Sequence, residues 1–342
     1  MSKYNEEYGG KGLSGLKNLG NTCFINSIIQ IISHTYELNH FLSNSSYETK
    51  LNKNIDSLLL IEWDKLRQQL WKKNAAVSPN KFIKTIQEIS IYKKIDTFAG
   101  FAQNDTSEFL LFLIDCFHNA LCRKVSMEIK GDAKIETDKI AITCFKTIKQ
   151  MYETNYSEML NLFYGSHISI IRDVNHNIKS MISEPFFILN LPIPPTNKSP
   201  TLLDCFDLYV SSEILEGDNA YYDETSKEKI KAYKKIDFWN LPDIIVIVLK
   251  RFNSSNRKKQ ILVDCPLENL DLSKYIVGYN PEKYKYDLYG VCEHSGSVLG
   301  GHYTAQVKTA NNNWYKFNDM FVTPSNKNII TSSAYCLFYR KQ

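Results

Sequence analysis

Apolar residues change their spacing partway along this chain, and the change separates two kinds of structure. In the first part they recur at intervals of three and four. After Asn21 and Thr22, residue types that cap helices, Ile25, Ile28, Ile29 and Ile32 fall at i, i+3, i+4 and i+7, which marks one face of a helix. A second helix is predicted to begin at Asp105. Glu108 follows in a capping-box arrangement, and Phe109, Leu113, Phe117 and Leu121 then recur every fourth residue. Residues 124–138 are charged and show no period, which predicts a surface loop before helical spacing resumes toward Leu162. Beyond Gly165 the period becomes two and β-branched and aromatic residues dominate. Strands are predicted at 184–191, 243–252, 284–291, 302–307, 314–317 and 334–339. The run DIIVIVL from Asp243 is almost continuously apolar, as for a strand covered on both faces. Residues 310–313 read as a hairpin turn. A helical lobe followed by a mostly antiparallel β lobe is α+β, with a cleft expected where the lobes meet.

Length leaves one elaborate domain or two: 342 residues, with no internal repeat and no low-complexity linker. Lys and Arg number 41 against 37 Asp and Glu, and a net +4 is too small to argue for nucleic acid or an anionic membrane. The longest apolar run, about ten residues near 243–252, falls far short of the roughly 20 that span a bilayer. Residues 1–11 are polar and Gly-containing, unlike a secretory signal, so an intracellular location is expected. In that setting the eight cysteines, which include no C-x-x-C pair, are expected to be free thiols.

One of them is placed to be more than a small buried residue. Cys23 sits at the first turn of the predicted helix, where unpaired N–H groups and the helix dipole favour a thiolate. A core cysteine like the other seven is the competing reading. A nucleophilic thiolate needs an imidazole to take and return a proton, and the imidazole needs a third group to fix its tautomer. Among the seven histidines, His302 follows Gly300 and Gly301 and opens a predicted strand. Asn318 and Asp319 end the next strand of the same hairpin, so antiparallel pairing would set His302 beside Asn318.

These residues lie in segments that resemble the ubiquitin-specific proteases, the papain-like deubiquitinases. GLKNLGNTCFINSIIQ (15–30) is similar to the family's cysteine box, and YGVCEHSGSVLGGHYTAQVKTANNNWYKFND (289–319) to its histidine box. FAGFAQNDTSEFL and LPDIIVIVLKRF lie between them in the family's order. The resemblance implies a papain-like fold with a 12-residue tail, a helical thumb at about 13–163, β fingers at about 164–240 and an interleaved β palm at about 184–342. It implies a deubiquitinase that acts on ubiquitin and ubiquitinated proteins as a monomer without a cofactor. Cys23 would be the nucleophile, His302 the general base and acid, and Asn18 an oxyanion donor. Asn318 would be the third residue, with Asp319 assisting or substituting. Asp105 and Glu108 would meet arginines of the ubiquitin tail, although Glu108 also fits a capping box. Gln103 would line the site, Tyr303 would wall the channel for the tail's glycines, and His294 is a site-lining residue and a rival base. Residues 295–299 would form a loop beside the cleft that moves for substrate entry. A protease for another ubiquitin-like modifier, or an inactive ubiquitin-binding module, are the alternatives.

The sequence departs from the family at the fingers. Where many members carry two C-x-x-C pairs that hold zinc, this chain has Asp173 and His176, then Asp223 and Ser226. That is a poor tetrahedral set, so no zinc is expected, with a weak site through Asp173, His176 and Asp223 as the alternative. The prolines of LPIPP at 191–195 are read as a strand end and turn, and the basic stretch 227–235 as a solvated surface.

Overall fold

The computed structural model describes residues 4–195, 198–253, 255, 257–297, 300–325 and 328–342. Helical spacing in the first half is realised as α1 (Asn5–Tyr8), α2 (Cys23–Ser33), α3 (Tyr36–Ser43), α4 (Asp56–Lys72), α5 (Asn80–Lys93), α6 (Thr106–Leu121), α7 (Glu136–Asn155) and α8 (Glu158–Phe163). Every residue of α2 is buried, its polar face included. That face is turned toward protein instead of solvent: Gln30 donates to Ser14 O at 2.8 Å, and Asn26 donates to Asp319 Oδ1 at 2.8 Å. α2 is therefore the central helix on which both lobes close. Each buried Ile on it, cut back to Ala, would cost about 2–5 kcal/mol.

The strands that follow are β1 (Gly165–Asp173), β2 (Ile178–Phe186), β3 (Ile188–Pro192), β4 (Glu213–Leu215), β5 (Tyr221–Asp223), β6 (Glu228–Ile230), β7 (Ala232–Asn240) and β8 (Ile244–Lys250). Helix α9 (Leu202–Tyr209) lies among them, and β9 (Leu270–Asp271), β10 (Lys285–Ser297), β11 (Gly300–Lys308), β12 (Trp314–Asn318), β13 (Phe321–Pro324) and β14 (Ala334–Lys341) complete the chain. One sheet runs β2-β1-β7-β4; a larger one runs β13-β12-β11-β10-β14-β8-β3, with β9 on β10. The predicted strand at 184–191 is in fact the end of β2 and the start of β3, which part after Phe186 to join different sheets. β3 pairs parallel to β8, and β8 is buried from Ile244 to Leu249 between β3 and β14, the environment its unbroken apolar run implies.

Residues 4–12, expected as a tail, dock on the body. Tyr4 and Tyr8 are four apart on one helical turn; Tyr8 stacks on Tyr36 at 4.7 Å and meets Trp71 edge-on at 5.0 Å. Arg340 lies over the Tyr36 and Tyr289 rings, so the same cluster ties the start of the described chain to β14. The apolar spacing of α6 holds as predicted, but its start differs from a capping box. Asp105 caps the helix by accepting from Ser107 N–H at 2.7 Å, while Glu108 is exposed and, among the described residues, bonds nothing.

Candidate active site

Cys23 opens α2 and is 3% exposed, with the helical lobe behind it and β11 in front. The backbone N–H groups of Tyr303, Phe24 and Cys23 itself favour the thiolate. Burial outweighs them and pushes the thiol up, and the Asp319 carboxylate pushes the same way. The helix-start argument for a lowered thiol pKa therefore fails in the resting site. Desolvation, which a helical pattern does not reveal, is the larger effect.

β11 and β12 bring His302 and Asn318 together as the hairpin reading requires: His302 Nε2 and Asn318 Oδ1 are 2.7 Å apart. The amide oxygen can only accept, so the ring proton sits on Nε2 and the Nδ1 lone pair is left available. The thiol of Cys23 lies against the N–H of Tyr303, the residue directly after His302. Asn318, not Asp319, is thus the partner of the imidazole.

Asp319 has a different task. It occupies the turn between β12 and β13 at φ +50°, a left-handed position that Asp tolerates. Its Oδ2 accepts from Asn18 Nδ2 at 3.0 Å and its Oδ1 from Asn26 Nδ2, while its carbonyl accepts from Leu16 N–H at 2.9 Å. Asn18 is held at its other end too, Oδ1 accepting from the N–H groups of Gly20 and Thr22 at 3.0 and 3.1 Å. One Nδ2 proton of Asn18 remains to donate beside the first-turn N–H groups of α2. Gly15 is required here, because a Cβ at that position would overlap the Met320 carbonyl that packs on it.

A cavity of about 210 Å³ opens between the lobes next to these groups, lined by Gln103, Asn104, Asp105, Phe252, His294, Gly300, Gly301 and Tyr303 among others. Tyr303 and His294 stack with centroids 4.5 Å apart and form one wall. His294 is 3% exposed, and burial with the nearby Lys258 ammonium lowers its pKa to about 4. The lowered pKa makes it a weaker base than an ordinary imidazole, and its Nδ1 faces the Lys258 ammonium at 3.2 Å. Asp105 has both oxygens in use, one on Ser107 and the other accepting from Tyr335 O–H at 2.6 Å. Gln103 does more than line the site: its amide donates to Gly301 O at 2.9 Å and accepts from Gly301 N–H at 2.7 Å. The sequence reading missed Asn26 and Tyr335. A buried amide inside an apolar helix was the available signal for the first; nothing local marked the second. Of the loop expected at 295–299, residues 298 and 299 lie outside the described residues.

At the fingers, Asp173 accepts from the N–H groups of Asn175 and Asn177, both at 2.9 Å, and Asp223 from Thr225 N–H at 3.2 Å. The Lys179 ammonium lies between the two carboxylates, 2.9 Å from Asp223 and 3.8 Å from Asp173. His176 is exposed, and Ser226 Oγ donates to Asp223 at 3.3 Å. Among the described residues no group of three or more His, Cys, Asp or Glu is placed to hold a metal ion. No helix among them is long and apolar enough to cross a membrane.

Residues 14–339 match the family described as ubiquitin carboxyl-terminal hydrolase. The chain is 34% identical over 343 residues to ubiquitin carboxyl-terminal hydrolase 2 of Homo sapiens, covering 96% of itself and 55% of that protein. It therefore spans about half the length of that relative. Against ubiquitin carboxyl-terminal hydrolase 2 of Gallus gallus the identity is 35%, covering 96% of this chain and 93% of the other. Its fold matches the SAGA Ubp8/Sgf11/Sus1/Sgf73 DUB module bound to ubiquitin aldehyde with a TM-score of 0.74 at 25% identity, over 97% of this chain and 70% of that one. A match to the family from the segment before Cys23 through to β14 covers both lobes and the cleft they form. The chain belongs to the ubiquitin carboxyl-terminal hydrolase family.

Proposed function

We propose that this chain is a cysteine-dependent deubiquitinase that hydrolyses the isopeptide or peptide bond after the C-terminal glycine of ubiquitin. The observation that carries the reading is the joint placement of Cys23 against the Tyr303 backbone and of His302 Nε2 on Asn318 Oδ1 at 2.7 Å. In this reading Nδ1 of His302 takes the Cys23 proton as sulfur attacks the carbonyl carbon. The developing oxyanion receives hydrogen bonds from Asn18 Nδ2 and the N–H groups at the start of α2. Collapse of the tetrahedral adduct breaks the C–N bond, and His302 gives its proton to the leaving amine. Water then attacks the thioester with His302 as base, which releases the ubiquitin carboxylate and restores the thiol.

The cavity beside Tyr303 and His294 is the channel for the ubiquitin tail. Asp105 retains one unused lone pair, on the Oδ2 that Tyr335 also holds, and exposed Glu108 offers a second charge to the tail arginines. The helical lobe, the four-stranded sheet and the larger sheet take the parts of thumb, fingers and palm, with the boundaries given above. Ubiquitin bearing a C-terminal electrophile tests the proposal: it should label the wild-type protein and not Cys23→Ala. No labelling of a well-folded protein would reject it. Labelling only by the matching probe of another ubiquitin-like modifier would assign that substrate instead.

A further inference from the structure

We infer that residues 97–105 are a brace that sets the position of His302 against Cys23, and that Gln103 is its positioning residue. The inference deepens the active-site reading above and rests on it. β12 pairs with β11 only between Ala305 and Lys308, so among the described residues no strand lies beyond the edge of residues 300–304. That edge faces the helical lobe: Tyr303 N–H favours the Cys23 thiolate, and Gly301 N–H donates to Gln103 Oε1 at 2.7 Å. Gln103 Nε2 also donates to the Gly301 carbonyl, which belongs to the peptide bond that carries His302. One side-chain amide thus pairs with both backbone groups of the residue before the base, as a neighbouring strand would.

The strand needs such support. Gly300 and Gly301 give the backbone ahead of His302 no side chains to hold it, and a Cβ on Gly301 would overlap the His294 ring. The other end of the brace is fastened to the nucleophile. Asn21, at φ +54° two residues before Cys23, donates to Phe101 O at 2.9 Å, and Phe98 stacks on Phe24. Within the brace, Asn104 donates to Thr97 O at 2.7 Å and to Ala102 O at 3.1 Å, which shortens and stiffens it. Base and nucleophile come from different lobes, and these bonds are a direct tie between their backbones. A displacement on the order of 1 Å at such a pair costs about 100-fold in rate.

The wild-type chain, Gln103→Met, Asn21→Gly and His302→Ala separate this from a role in holding substrate. Gln103→Met keeps length and removes both hydrogen bonds; Asn21→Gly keeps the left-handed backbone and removes the tie to Phe101. Two readouts are needed: kcat and KM on ubiquitin carrying a C-terminal fluorogenic amide, and the pH profile of Cys23 alkylation by iodoacetamide, which involves no ubiquitin. For Gln103→Met, kcat should fall about 10-fold to 100-fold with KM changed less than about 2-fold. Its alkylation near pH 7, where His302 takes the proton of the neutral thiol as sulfur attacks, should drop toward that of His302→Ala, with the alkaline rate retained. Asn21→Gly should move both readouts the same way by less, and it carries the test if Gln103→Met does not fold. A KM raised about 10-fold with kcat and the alkylation profile of wild type would make Gln103 a tail contact and overturn the inference. If wild type turns over no ubiquitin conjugate yet Gln103→Met still loses the His302-assisted alkylation near pH 7, the brace stands and the substrate assignment fails.

Discussion

The cleft and the fingertip are built from the same materials, carboxylates, amides and a histidine, yet they end in opposite states. At the fingertip the charged groups that face each other are used up: Lys179 lies between Asp173 and Asp223, and both carboxylates also accept backbone N–H groups of their own turns. In the cleft, the Asp319 carboxylate is bound by the neutral amides of Asn18 and Asn26, and the groups around it keep something back: Asn18 a proton, and His302, held by Asn318, the lone pair of Nδ1. A site that only joins two turns can exhaust its hydrogen-bonding capacity, whereas one that moves protons must hold its groups by one end. The difference also has a scale. A structural zinc contributes about 10–16 kcal/mol in small zinc domains, while exposed ion pairs contribute well under a tenth of that. The fingertip should accordingly be a region of low local stability and the cleft a rigid one.

The largest effect expected in the cleft is at Asn18. Asn18→Ala removes the proposed oxyanion donor together with the side chain that joins Gly20, Thr22 and Asp319, and kcat should fall about 100-fold to 1000-fold with KM little changed. A loss confined to KM would move Asn18 out of the oxyanion role. Asn318→Ala comes next. Loss of the acceptor on His302 Nε2 frees the tautomer and the ring orientation, so turnover should drop about 100-fold, more than binding does. If Asp319→Ala slows turnover more than Asn318→Ala, the division of labour between the two residues is wrong.

The pH response separates the two functions of Asp319. Burial holds the Cys23 thiol above its ordinary value, and the Asp319 charge adds to the rise. The neutral thiol is therefore favoured around pH 7, and Cys23 alkylation should climb as pH rises into the thiol's titration range. Asp319→Asn removes a negative charge, which eases ionisation, so the alkaline limb should move to lower pH. A shift to higher pH would mean that loss of the Asn18 and Asn26 contacts outweighs the charge.

Sequence patterns disclosed what depends on neighbours in the chain. The α2 face, the α6 spacing and the meeting of His302 with Asn318 across one hairpin all follow from local periods and a short loop. The residues it hid make their bonds over long separations. Asn26 reaches Asp319 across 293 positions and Tyr335 reaches Asp105 across 230, and neither belongs to a repeating pattern. The thiol of Cys23 was misjudged for a related reason: the helix start is visible in one dimension, while the desolvation that overrides it exists only once β11 has packed in front. The loss of cysteines at the fingertip was plain, but Lys179, the residue that now occupies the space between the turns, lies outside the four positions that define the motif.

Lys179→Ala should have the smallest effect on chemistry and the clearest effect on place. Without the ammonium, Asp173 and Asp223 face each other as unneutralised charges, while the N–H bonds within each turn remain. Amide exchange in residues 173–178 and 223–228 should quicken by a factor of about 2 to 5, the size of effect expected for an ion pair near a protein surface, and the excess should shrink as added salt screens the two carboxylates. The alkylation profile of Cys23 should not change, since β1, β2 and β7 separate the fingertip from the cleft by the length of the small sheet. Exchange as slow as wild type would show that the turns are held by their own backbone bonds and that Lys179 joins nothing. A changed Cys23 profile would show that the fingertip and the cleft, so different in how they use their groups, are nonetheless coupled.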